Sequence, residues 1–456
     1  MARDVTDAEP ANERGDLVAW FEGGCKAPQD FKVGSEHEKI PFYLADLSPV
    51  PYEGERGIGA LLEGMRVRLG WDAIEDSGHL IGLYDSVGGG AISLEPGGQF
   101  ELSGATHADI HALSGELSAH LEAAHAAAAP LGIGFLALGM SPRWTLAQTP
   151  RMPKSRYRIM TDYMPKVGTR GLDMMYRTAT TQANLDYASE ADMVAKLRVG
   201  LALQPAMTAL FANSPFTDGK PNGLLSARSE VWRHTDAARS GMLPFAFEPG
   251  MGFERYVDYA LDVPMYFVKR GDVYHDVSGA SFRDLLAGRL AQLPGERATI
   301  SDWANHLSTI FPEVRLKRYL EMRGADVGTA ERIVAQSALM VGIYYDSVAL
   351  DGALELIRRW SAEARQTLRD EAPRLGLQAR IAGRSLRDVA RDMLALARGG
   401  LERRARRDGR GRDEGPYLDA LDAIVESGVE PARAWMARYE GPWRGSVDPI
   451  YAEARI

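Results

Sequence analysis

In four short stretches of this chain, acids, amides and one arginine stand two residues apart within sequence that reads as extended. Phe31 to Lys39 places Glu36 and Glu38 at i and i+2. Thr180 to Leu185 does the same with Gln182 and Asn184, and Arg318 to Gly324 with Glu321 and Arg323. Ile92 to Leu102 carries Glu95, a Pro-Gly-Gly break, then Gln99 and Glu101. Strand side chains alternate between faces, so each i, i+2 pair shares a face. The break leaves the side of Glu95 open. Like charges on neighbouring strands repel unless a cation lies between them. Oxygen-rich clusters of this kind suit Mg²⁺, which takes hard ligands and bridges to substrate phosphates. The plainer reading, a solvated sheet face, serves for Glu36 and Glu38 alone and serves less well for four segments together.

The rest of the chain reads as α/β. Strands are expected at Phe31–Leu44, Leu80–Asp85, Ala91–Leu102, Ile133–Met140 and Thr178–Tyr187. Helices are expected at Leu17–Gly24, Gly57–Leu69, His107–Ala129 and Glu190–Phe211. The C-terminal third changes to helices at Ser301–Ile310, Thr329–Val341, Leu350–Glu371 and Ser385–Ala397. Residues 141–177 and 212–255 read as loop-rich. The first 16 residues are polar and are expected to be disordered. Acidic motifs fall on both sides of any boundary, so residues 17–456 are expected to form one catalytic domain with a helical part from about 325.

Charge and cysteine usage exclude some functions. A formal net charge of −9 disfavours a nucleic-acid binder. The longest apolar stretch, Ala123 to Met140, is broken by His125 and Pro130, so no membrane span is expected. Cys25 is the only cysteine, and the N-terminus resembles neither a secretory nor a transit signal. The chain is therefore expected in the cytoplasm. Cys25 has no companion His motif, and Gly88-Gly89-Gly90 is followed by no Gly-Lys-Ser/Thr. His107, His111, His120 and His125 read as ordinary helix residues. The arginine run from Arg398 to Arg412 reads as a solvated helix end and loop. Basic segments that could hold phosphates or a substrate carboxylate contribute Lys154, Arg156, Lys166, Arg228 and Arg233, although any one of them alone reads more simply as surface charge.

The motifs FKVGSEHEK, SLEPGGQFELSGA, MPKSRYRIM, DYMPKVGTRGLDMM, KPNGLLSARSEVWRHTD and NHLSTIFPEVRLKRYLEMRGAD resemble those of plant and proteobacterial glutamate–cysteine ligases. The resemblance runs from about residue 17 to 451. It implies a glutamine-synthetase-like cup, a curved and mainly antiparallel sheet with helices outside. It implies glutamate, cysteine and ATP as substrates, two or three Mg²⁺ ions, and possible homodimers. By motif position, Glu36, Glu38, Glu95, Glu101, Gln182 and Glu321 face metal and nucleotide phosphate. Lys154, Arg156, Lys166, Gln182 and Asn184 serve the nucleotide. Arg228, Arg233 and Arg323 contact glutamate or the transferring phosphate. The regulatory disulfides of plant members cannot carry over to a chain with one cysteine.

Such chemistry needs no protein nucleophile. A carboxylate is a poor electrophile, and phosphorylation by ATP makes an acyl phosphate that an amine can attack. Another carboxylate–amine ligase of this fold, a guanidino kinase, and a sensor that has lost the chemistry stay open as alternatives.

Overall fold

The structure, a computed structural model, describes residues 8–456. Nine strands form its main sheet: β1 (Val33–Tyr43), β2 (Asp72–Asp76), β3 (His79–Tyr84), β4 (Ala91–Leu94), β5 (Phe100–Ser103), β6 (Ile133–Leu136), β7 (Thr180–Leu185), β8 (Val314–Leu316) and β9 (Leu320–Asp326). The spatial order is β8-β9-β7-β1-β5-β4-β3-β2, with β6 on the far half of β1. All these pairings are antiparallel. Register shifts in β2–β3 and between Met322 and Ala325 mark bulges, which bend a sheet locally.

The two faces of the sheet differ in chemistry. Val33, Leu185 and Leu320 face one way, as do Ser35, Ala183 and Met322, and all are buried. Three of the helices on this side are α2 (Ile110–Ala128), packed on β1 and β6, and α5 (Glu190–Phe211) and α8 (Ala330–Tyr344), packed on β7, β8, β9 and β1. Further on, α9 (Ala362–Leu375) and α10 (Leu386–Arg404) pack against α5 and α8, so the C-terminal helices share one apolar core with the sheet. The other face carries the acids.

Four expectations need correction. Residues 141–177 contain two helices, Ser155–Val167 and Gly171–Arg177. Residues 350–371 are split, because Ser361 caps a new helix by accepting from the Ala364 N–H. Strand β2 was not expected; its acids are mostly exposed along an edge. Within the first 16 residues, 1–7 lie outside the described residues, but Ala11 is fully buried and bonds to Ala298, and a helix starts at Arg14 behind a Glu13–Asp16 capping box. Among the described residues no single helix is long and apolar enough to cross a membrane.

Candidate active site

The register of β1 sets the acids against one another. Glu38 stands directly opposite Glu101 of β5, and Glu36 opposite Gln182 of β7. Glu101 is opposite Ser93, and its two oxygens accept from Ser93 Oγ at 2.8 Å and Ser103 Oγ at 2.9 Å. Directly opposed residues share a face, so the four strands build one polar floor. The Pro-Gly-Gly turn brings Glu95 to the same floor. Gln99 locks that turn: its Oε1 accepts from Gly97 N, and its Nε2 donates to Thr178 O at 2.7 Å. Only glycine fits at 97, where a Cβ would stand 2.0 Å from Tyr176 O.

The floor lies in a cleft whose lining includes Glu36, Glu38, Glu95, Glu101, Gln182, Arg156, Arg228, Arg315 and Arg323. Helix α3 (Ser155–Val167) contributes Arg156, Tyr157 and Met160; α4 (Gly171–Arg177) contributes Met174 and Met175; α6 (Ala227–Trp232) contributes Arg228 and Trp232. Phe267 and Phe311 complete an apolar side. Carboxylates thus lie below, with guanidiniums and aromatic rings around them.

Desolvation, followed by Glu95 and Glu101, pushes the Glu38 carboxyl well above the usual range, while Thr180 N donates to it at 2.9 Å. Burial, followed by the charge of Glu321, raises Glu36, which accepts from Asn184 Nδ2 at 2.8 Å. Carboxylates that hinder one another's ionisation gain from a cation between them, so the donor set fits a divalent ion with hard-ligand preference. Among the described residues, no three carboxylates or imidazoles converge as a ready-made metal site.

Glu321 differs from the other acids. It is fully buried and lies outside the cleft lining, beneath Arg323. Arg315 holds it at 2.7 Å, Lys317 at 2.8 Å, and Arg323 by a further ion pair. Burial alone would raise its pKa, but these three cations hold it well below the carboxylate range. Its charge is already matched in this structure by these three cations. Arg323 also donates to Gln182 Oε1 at 2.8 Å.

Other expected residues also fall outside the lining. Lys154 is buried and donates to Leu94 O, so it props β4. Lys166 is exposed near the end of α3. Asn184 serves Glu36. Arg233 pairs with Glu230 at 2.8 Å and Asp370 at 2.9 Å. Sequence reasoning missed Arg315, Tyr157 and Trp232. The alternation of Arg315 and Lys317 in VRLK was the available signal for the first. Cys25 lies outside the lining, in the loop after the first helix.

The profile of the Glutamate-cysteine ligase family 2 (GCS2) matches residues 32–453. The chain belongs to this family. It is 51% identical over 449 residues to a chloroplastic glutamate–cysteine ligase of Nicotiana tabacum, covering 98% of this chain and 84% of that one. It is 50% identical to the chloroplastic ligase B of Oryza sativa subsp. japonica, covering 98% and 88%. A crystal structure of a glutamate–cysteine ligase from Francisella tularensis, in complex with AMP, superposes with a TM-score of 0.55 at 12% identity, over 92% of this chain and 87% of that one. At that identity the likeness speaks for the fold, and the ligase fold agrees with the cup expected from sequence. The cytoplasmic expectation is corrected by the relatives, whose names place them in the chloroplast.

Proposed function

We propose that this member of the glutamate–cysteine ligase family joins the side-chain carboxylate of glutamate to the amine of cysteine, consuming ATP. The carrying observation is family membership along nearly the whole chain, combined with a cleft whose acid floor faces four guanidiniums. Glutamate–cysteine ligase relatives at half identity support the choice of substrates.

Division of labour follows from the geometry. Glu36, Glu38, Glu95 and Glu101 would hold Mg²⁺, whose chemistry is to neutralise phosphate charge and orient the transferring group. Arg156, Arg228 and Arg323 supply planar donors for phosphate or carboxylate oxygens. Glu321 and Gln182 fix Arg323 in place, so its fork needs little reorganisation during the reaction. Tyr157, Trp232, Phe267 and Phe311 exclude water, which would otherwise hydrolyse an acyl phosphate before the amine arrives. No side-chain nucleophile is required. We further propose that residues 17–456 act as one catalytic domain.

The test is product formation from ATP, Mg²⁺, glutamate and cysteine, with ADP release followed in parallel and other amines in place of cysteine. γ-Glutamylcysteine should form with one ADP per amide. ADP release without an amide, or equal turnover with any amine, would overturn the reading.

A further inference from the structure

Arg228 is 3% exposed and lines the cleft, yet it has no carboxylate ion-pair partner among the described residues. Its side chain donates from Nη2 to Arg323 O at 2.8 Å. A buried guanidinium without a direct counter-ion is expensive to maintain. It also sits on α6, a helix too short to be stable in isolation. Something else must hold both the helix and the charge.

Asp326, at the end of β9, is 1% exposed and has no cation bonded to it among the described residues. Its Oδ2 accepts from Ser214 Oγ at 2.6 Å and Asn213 N at 2.9 Å, and its Oδ1 from Ser226 Oγ at 2.8 Å. Both serines pass the contact to α6. Ser226 Oγ accepts from Ser229 N at 3.1 Å, capping the helix, and Ser214 Oγ accepts from Arg228 N at 3.2 Å. The carboxylate is thus one hydroxyl away from the first turn that carries Arg228. Gly139 lies against it, where a Cβ would meet Asp326 Cγ at 2.3 Å.

We propose that Asp326 is the positioning residue for Arg228: through Ser214 and Ser226 it fixes α6, and its buried charge balances the guanidinium until an anionic substrate group docks there. This rests on the reading that Arg228 binds a carboxylate or phosphate of a substrate. Asp326 itself touches no substrate. The donors Ser214 and Ser226 each bond to a different carboxylate oxygen, so Asp326→Asn removes the charge and leaves one of the two hydroxyls facing an amide NH2 in place of its acceptor, which lets α6 shift.

The test is a double-mutant cycle on the full-length enzyme with Asp326→Asn and Arg228→Gln, measuring kcat and KM for glutamate and for MgATP, with Ser226→Ala as a second relay variant. Arg228→Gln should raise the KM for one of the two substrates at least tenfold. Asp326→Asn should raise that same KM about tenfold, with a smaller change in kcat, and should add little once Arg228 is already Gln. If Arg228→Gln leaves both KM values unchanged, the underlying reading of Arg228 fails. If Arg228→Gln acts but Asp326→Asn multiplies independently, or only lowers thermal stability, the role of Asp326 is overturned. Should Asp326→Asn fail to fold, the cycle of Ser226→Ala with Arg228→Gln decides in the same way: non-additive supports the relay, additive sinks it.

Discussion

At the scale of single residues, the most exacting environment is that of Glu321. Three cations surround a carboxylate with no solvent exposure. Taking away one member of such a buried set typically costs about 3–5 kcal/mol, because the remaining charges stay desolvated. Glu321→Gln should therefore lower the melting temperature by several degrees, read by calorimetry. A melting point equal to wild type would show that Arg315, Lys317 and Arg323 find other partners. His306 provides a pH signature away from the acids. Burial first, partly offset by the bond from Nε2 to Ala260 O at 2.8 Å, lowers its pKa from the ordinary 6.5 to about 4. The folded protein keeps this imidazole neutral while the unfolded chain protonates it. Stability is thus present above pH 6.5 and is lost as pH falls towards 4. The contribution is on the order of 3 kcal/mol. His306→Gln keeps a donor for Ala260 O and does not titrate. Its denaturation midpoint should fall less steeply than wild type between these pH values; parallel slopes would count against the assignment.

At the scale of elements, two devices aim side chains into the cleft. Helix α3 has no side-chain cap of its own at Lys154. Asp76, at the tip of the β2–β3 hairpin, does that work instead, accepting from Ser155 N at 2.7 Å and Ser155 Oγ at 2.6 Å. Asp76→Ala should cost about 1 kcal/mol, the usual worth of a cap. It should also raise the KM for MgATP more than it lowers kcat, since Arg156 and Tyr157 ride on that first turn. Unchanged KM would separate the hairpin from the site. The second device is the bulge at Arg323-Gly324, which turns Arg323 towards Gln182. A Cβ at 324 would stand 1.5 Å from Gln204 Nε2, and Gln204 is itself 2% exposed with nowhere to retreat. Gly324→Ala should destabilise by about 1–3 kcal/mol and reduce turnover at least tenfold by misdirecting Arg323; a stable, fully active variant would show the bulge to be tolerant. The bulge also explains what could be read beforehand. Glu36, Glu38 and Gln182 were legible because an uninterrupted strand has period two. Glu321 lies on the face that its spacing predicts, but the irregularity beyond Met322 and the convergence of Arg315, Lys317 and Arg323 on one carboxylate are tertiary facts that spacing alone does not encode. The helices α3 and α4 were illegible for another reason: their Pro165, lysines and arginines imitate a loop, and α3 takes its cap from 79 residues away.

At the scale of the molecule, the sheet and the C-terminal helices form one core, and one buried carboxylate shows how they are joined. Glu414 is fully buried. Its Oε1 accepts from Ile110 N at 2.7 Å, at the start of the helix that covers β1, and Arg404 binds both its oxygens at 2.9 and 2.7 Å. Arg404 also donates to Ala108 O at 2.5 Å. The arginine run is therefore not uniformly the solvated face expected from sequence. Arg406 and Arg407 are exposed, and Arg403 pairs at the surface with Asp346, but Arg404 is a tie across the fold. Surface ion pairs contribute about 0–1 kcal/mol, whereas stranding a buried carboxylate costs about 3–5 kcal/mol. Arg404→Gln should thus lower the melting temperature clearly, while Arg406→Gln and Arg407→Gln should leave it within a degree or so. Because the tie lies behind the sheet and the cleft opens on its other face, turnover per folded molecule should stay at the wild-type level in all three. Equal melting points for Arg404→Gln and Arg406→Gln would show that Glu414 holds α2 without help from the C-terminal helices. A selective loss of turnover in Arg404→Gln would instead mean that the back of the sheet is mechanically coupled to the carboxylate floor.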